Sequence, residues 1–150
     1  MKKQFLVKLF ALIMCLAMLL CTSMLSGCKK ETLVLKESDT YIVISVTQKS
    51  LGSKSMTLLE YMQQLKQDGE LQFEADGTGM ITSINGIANP QDWSCCWMLY
   101  TSDADNSNDG WGKAEYNGKI YGSAILGASD LIVKADNIYI WVYQSFRTAA

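Results

Sequence analysis

The sequence predicts an α+β domain, and three observations carry that expectation: a β-branched run opens its folded part, one capped amphipathic segment follows, and every later apolar run is short and bounded by turn residues. Residues 40–47, Thr-Tyr-Ile-Val-Ile-Ser-Val-Thr, are rich in side chains that fit a pleated surface and read as the first strand. Thr57 stands three residues before Glu60, the spacing of a capping box. Leu58, Leu59, Met62 and Leu65 follow at helical spacing until Asp68-Gly69 stops the helix, a segment of about ten residues. Its apolar stripe needs a surface to lie on, most simply a sheet. Residues 71–75 and 80–84 read as strands around the turn Asp76-Gly77-Thr78-Gly79, and Asn85-Gly86 marks another tight turn. Residues 97–101 form a further strand, followed by a long polar segment over 102–112. Asn117-Gly118 predicts a hairpin, Leu131-Ile132-Val133 is a short apolar run, and residues 138–144 form the last strand. In that strand Ile138, Ile140 and Val142 alternate with Tyr139, Trp141 and Tyr143. One strand, one helix and then several antiparallel strands predict a sheet covered on one face, with additional β-hairpins.

Ahead of this domain, Lys2, Lys3 and Lys8 precede twelve uncharged residues, 9–20, and a small-residue stretch that ends at Cys28. This order is that of a cleaved export signal over residues 1–27. The alternative is a transmembrane helix, but twelve residues reach about 18 Å, short of the roughly 30 Å hydrocarbon core. Leu25-Ser26-Gly27-Cys28 resembles the lipobox of bacterial lipoproteins, which implies lipidation at Cys28 and attachment to the extracytoplasmic face of a membrane. Residues 28–40 are then expected to be a lipidated tether and 41–146 the ligand-binding domain. Loss of the three signal lysines against 15 Asp and Glu moves the net charge from −2 to about −5.

Composition narrows the chemistry. The chain of 150 residues has no His, which removes Ser-His-Asp and Cys-His hydrolysis, most zinc sites and imidazole ligation of cobalt or haem. Scattered carboxylates and serines without a base give no dyad or triad, so no enzyme is expected. The absence of a basic cluster beyond the first 30 residues argues against nucleic acid as a partner. Cys95 and Cys96 are the two cysteines after Cys28. They are either two unpaired thiols or a vicinal bridge, which the 3.8 Å between neighbouring Cα atoms would strain.

Two surface features suggest ligands. Asp105, Ser107, Asp109 and Gly110 fit the first positions of an EF-hand loop, but Tyr116 stands where the bidentate Glu belongs, leaving either a solvated Asx-rich loop or an atypical calcium site. Of the aromatic residues Trp93, Trp97, Trp111, Trp141, Tyr100, Tyr116, Tyr121, Tyr139 and Tyr143, some must fill the core. Trp111, Tyr116 and Tyr121 differ, because they lie in or beside a Gly-rich region where flat rings next to polar backbone make a ligand platform.

The run from Gly79 through Ile81-Thr82-Ser83-Ile84 to Asn85-Gly86, then Trp97-Met98-Leu99-Tyr100, Tyr121-Gly122-Ser123-Ala124 and the closing Ile138-Tyr139-Ile140-Trp141-Val142-Tyr143, resembles the transcobalamin-like C-terminal domain family of bacterial surface proteins. The resemblance spans roughly residues 41–146. It implies a β-grasp-like fold, a mixed or antiparallel sheet packed on one helix. It also implies a module that captures cobalamin or a related corrinoid, with no prosthetic group of its own, and that works with an energy-coupling-factor-type vitamin transporter. The family's motif tryptophan falls on Trp97, and its ligand-facing segment near Tyr121, Gly122 and Ser123. Without His, such a ligand would be held through its ring and side chains rather than its cobalt. The larger helical domain of the animal carriers is missing from this chain, which leaves half of a sandwich. A second expectation is an adhesion or assembly module that holds protein or glycan through the Trp111–Tyr121 region.

Overall fold

The computed structural model describes residues 33–146; the expected signal peptide, Cys28 and the start of the tether lie outside the described residues. The main sheet has six strands, β1 (Val34–Ser38), β2 (Tyr41–Ser45), β6 (Cys95–Thr101), β7 (Ser107–Tyr116), β8 (Lys119–Ala124) and β9 (Ile138–Ser145), in the order β1-β2-β9-β6-β8-β7. A second sheet joins β3 (Phe73–Ala75), β4 (Ile81–Ile84) and β5 (Ile87–Ala88). Every ladder among the described residues is antiparallel, so the α+β class holds and the mixed variant of the expected sheet is not seen.

Helix α2 (Leu58–Gln67) forms where the capping box places it: Glu60 N–H donates to Thr57 Oγ1 at 3.2 Å, and Thr57 N–H donates to Glu60 Oε2 at 2.8 Å. Leu58, Tyr61, Met62 and Leu65 are buried against Ile42 and Ile44 of β2, Trp97 and Leu99 of β6, and Tyr139 and Trp141 of β9. A shorter helix, α1 (Gln48–Leu51), was not expected. Thr47 caps it instead of extending the first strand, accepting from Ser50 N–H at 3.1 Å.

Three expectations need correction. The tether gives way to structure by Leu33, whose carbonyl accepts from Ser45 N–H at 2.8 Å, and β1 extends the sheet as an edge strand with mostly exposed side chains. The polar segment 102–112 is not one long loop: a 3₁₀ turn (Ala104–Asn106) leads into β7, whose pairing with β8 breaks between Asn108 and Lys113. The sheet is apolar on both faces, with a second cluster of Val43, Tyr100, Ala114, Tyr121 and Ile140 opposite the helix. The sheet curls enough to cover that face itself. Gly112 comes so near Tyr100 that an added Cβ would lie 3.2 Å from the phenolic oxygen.

Candidate functional site

Strand β6 creates the site because it is paired unequally. It runs against β9 from Cys95 to Thr101, but its ladder with β8 involves only Tyr100 and Thr101. Beyond Ala124 the chain leaves β6 and turns toward the start of α2, where Leu59 N–H donates to Ala128 O at 2.8 Å. The gap between the β6 edge and residues 123–129 is a groove of about 400 Å³, lined also by residues 78–81, Asn89 and Trp93. Gly79 (φ +87°) touches Ser129 so closely that an added Cβ would lie 2.8 Å from the serine Cβ.

Four of the exposed large apolar side chains, Met80, Trp93, Ile125 and Leu126, line this groove. Ser123, Asn89 and Ser129 add polar groups to a mostly apolar wall, the composition of a small-molecule site. Asn89 also joins the two sheets: its Nδ2 donates to Ile81 O at 2.9 Å, and its Oδ1 accepts from Trp97 N–H at 3.0 Å. Trp93 has φ +54° and is 52% exposed. A bulky side chain in left-handed backbone costs roughly 1–2 kcal/mol, and retained strain of this kind clusters at ligand clamps. Trp141 contributes to the lining, and its covered indole nitrogen is, among the described residues, the buried side-chain polar atom without a hydrogen-bond partner.

The residues expected to bind ligand are divided by the sheet. Trp97 and Ser123 line the groove. Trp97 is itself 5% exposed, stacked obliquely on Tyr143 at 5.4 Å, with Nε1 donating to Ile87 O at 2.8 Å, so its packing role dominates. Tyr121 is buried in the second cluster, and Tyr116 packs against it on the face away from α2. Gly122 is a crossing point: an added Cβ would lie 2.6 Å from Asp109 Oδ1 and 3.1 Å from the backbone of Asn108 and Asp109, so a larger residue there must displace the break in β7 that passes over it. Trp111 stands out from that break, 66% exposed and away from the groove. Residues 121–123 thus alternate between faces, as strand geometry demands, and of the expected platform Tyr116 and Tyr121 share the second cluster while Trp111 stands exposed.

The carboxylates of the calcium candidate meet lysines of the same chain. Lys134 Nζ lies 2.8 Å from Asp103 Oδ1 and 2.8 Å from Asp105 Oδ2, so an internal ammonium already neutralises those carboxylates, while Asp109 faces Lys113 at 3.7 Å. Ser107 begins β7, and among the described residues no group of three or more His, Cys, Asp or Glu is arranged to hold a metal. Burial alone would raise the Asp103 carboxyl, but hydrogen bonds from Lys134 and Asn106 outweigh it and hold it below the usual carboxylate range. Lys134 is raised in turn, chiefly by its bonds to Asp103 and Asp105.

Cys95 and Cys96 stand as unbridged thiols, and strand geometry places them on opposite faces of β6. Burial raises the Cys96 thiol above its ordinary value, with the neighbouring Cys95 adding to it.

Sequence reasoning missed the groove's rim, because Met80, Trp93, Ile125 and Leu126 belong to turns and loop ends with no periodic pattern. The available signal was Ile125-Leu126, two large apolar residues held between Ala124 and Gly127 in a segment too short to be a core strand.

No helix among the described residues is long and apolar enough to cross a membrane. Compared with protein-family models, with curated proteins and with solved structures, the chain matches none.

Proposed function

We propose that this chain is a lipid-anchored binding protein on the extracytoplasmic face of a bacterial membrane, which holds cobalamin or a related corrinoid in the β6 groove for uptake. The observation that carries the reading is the convergence of Met80, Trp93, Ile125 and Leu126 on one groove. A corrin ring offers a broad apolar face and an amide rim, matched here by exposed apolar side chains and by Ser123, Asn89 and Ser129. A groove of about 400 Å³ takes one flank of such a ring and leaves the rest exposed, which suits release to an energy-coupling-factor-type transporter. The role is one of binding rather than catalysis. Anchoring through Cys28 and the β-grasp kinship belong to the same proposal. The kinship is supported by one long helix packed on a curled sheet, with the all-antiparallel pairing as a departure.

A second reading, a surface adhesion or assembly module, is favoured by Trp111, which projects alone from the break in β7 at 66% exposure. Titrating cyanocobalamin into the full chain in detergent while following tryptophan emission separates the two. Saturable quenching supports corrinoid capture, and unchanged emission up to about 100 μM refutes it.

A further inference from the structure

Cys96 and Met98 stand two residues apart on the same face of β6, both half-buried, with Sγ and Sδ 3.6 Å apart. Both line the groove, and a third sulfur, that of Met80, stands on its wall at 43% exposure. The strand holds Cys95 on the opposite face, and the two thiols stand unbridged.

We propose that Cys96 and Met98 form the core of a binding site for a soft monovalent metal ion, Cu(I), with Met80 a further thioether on the same groove. Two sulfurs 3.6 Å apart, each about 2.3 Å from a shared metal, subtend roughly 100° there, close to a tetrahedral angle. Thiolate and thioether donors select Cu(I), whereas a zinc or calcium site needs His, further Cys or carboxylates, and none of these is grouped for a metal among the described residues. On binding, the Cys96 S–H bond breaks, its proton goes to solvent and a sulfur–copper bond forms; copper enters and stays as Cu(I), so no electron is transferred. The site stands on these sulfurs alone and does not rest on the corrinoid reading.

The test is an anaerobic titration of the full chain with Cu(I) in competition with a chromogenic Cu(I) chelator, comparing wild type with Cys96→Ser, Met98→Leu and Cys95→Ser. The signal-region cysteines are common to all four proteins and cancel in the comparison. Cys96→Ser should lose the equivalent bound by the domain, Met98→Leu should weaken it by about tenfold, and Cys95→Ser should leave it unchanged. Equal losses from Cys95→Ser and Cys96→Ser, or an unaltered affinity in Met98→Leu, would overturn the proposal. Met98→Leu conserves volume, so it keeps the test decisive if Cys96→Ser folds poorly.

Discussion

The Tyr41 hydroxyl of β2 donates to the Glu115 carbonyl of β7 at 2.6 Å, although β9, β6 and β8 lie between those strands in the sheet. A flat sheet would hold the two residues several strand spacings apart, at about 4.8 Å each. The bond therefore records the curl that folds β7 and β8 over the second apolar cluster. Tyr41→Phe should lower stability by about 1 kcal/mol in urea unfolding. It should also speed amide exchange in β7 and β8 while leaving α2 protected. Uniform exchange changes would show that the bond does not hold the curl.

Gly122 is the other requirement of that curl. Gly122→Ala places a methyl against the Asn108 and Asp109 backbone, which has no flexible side-chain end to yield, and should cost about 1–3 kcal/mol. Gly118→Ala, where nothing lies within 4 Å of the added carbon but φ is +70°, separates backbone strain from collision. A Gly122→Ala penalty no larger than that of Gly118→Ala would remove the close crossing from the account.

Lys134 is predicted to control acid stability through Asp103, which is 3% exposed. A carboxyl held below its unfolded value contributes stability above the ordinary carboxylate range, and that contribution is lost as pH falls through the lower, folded value. Lys134→Met should lower stability near neutral pH and change it little once both states of Asp103 are protonated. Melting temperatures across an acid series measure this, and a penalty independent of pH would contradict it.

Local signals in the sequence account for much of this fold. Thr57 and Glu60 announced the long helix, and Asn117-Gly118, with φ of +51° and +70°, announced its hairpin, because each signal acts within four residues. The alternation of β9 was legible, one residue short at its end: Tyr139 and Trp141 lie in the helix-facing cluster, and Ile138, Ile140 and Val142 at the opposite one. The same alternation, apolar on both sides, already contradicted a sheet covered on one face. The polar run 102–112 hid half of β7, because its break places Asp109 and Trp111 in solvent and erases period-two alternation. Of the candidate site, Trp97 and Ser123 were legible, whereas the groove arises where β8 parts from β6. That separation is a long-range property that no local spacing encodes.

Trp93 separates binding from folding. Its left-handed backbone and half-exposed ring mean that Trp93→Asn, with a residue that tolerates this conformation, should be at least as stable as wild type in urea. A clear loss of stability would assign Trp93 to the core instead of the groove.

Corrinoid capture in the β6 groove is tested most directly by calorimetric titration of cyanocobalamin into the full chain, its Trp93→Asn variant and its Trp111→Ala variant. The account predicts saturable binding by wild type and Trp111→Ala, and an affinity weaker by about tenfold or more in Trp93→Asn. Absence of heat up to about 100 μM ligand, or a loss confined to Trp111→Ala, would contradict it.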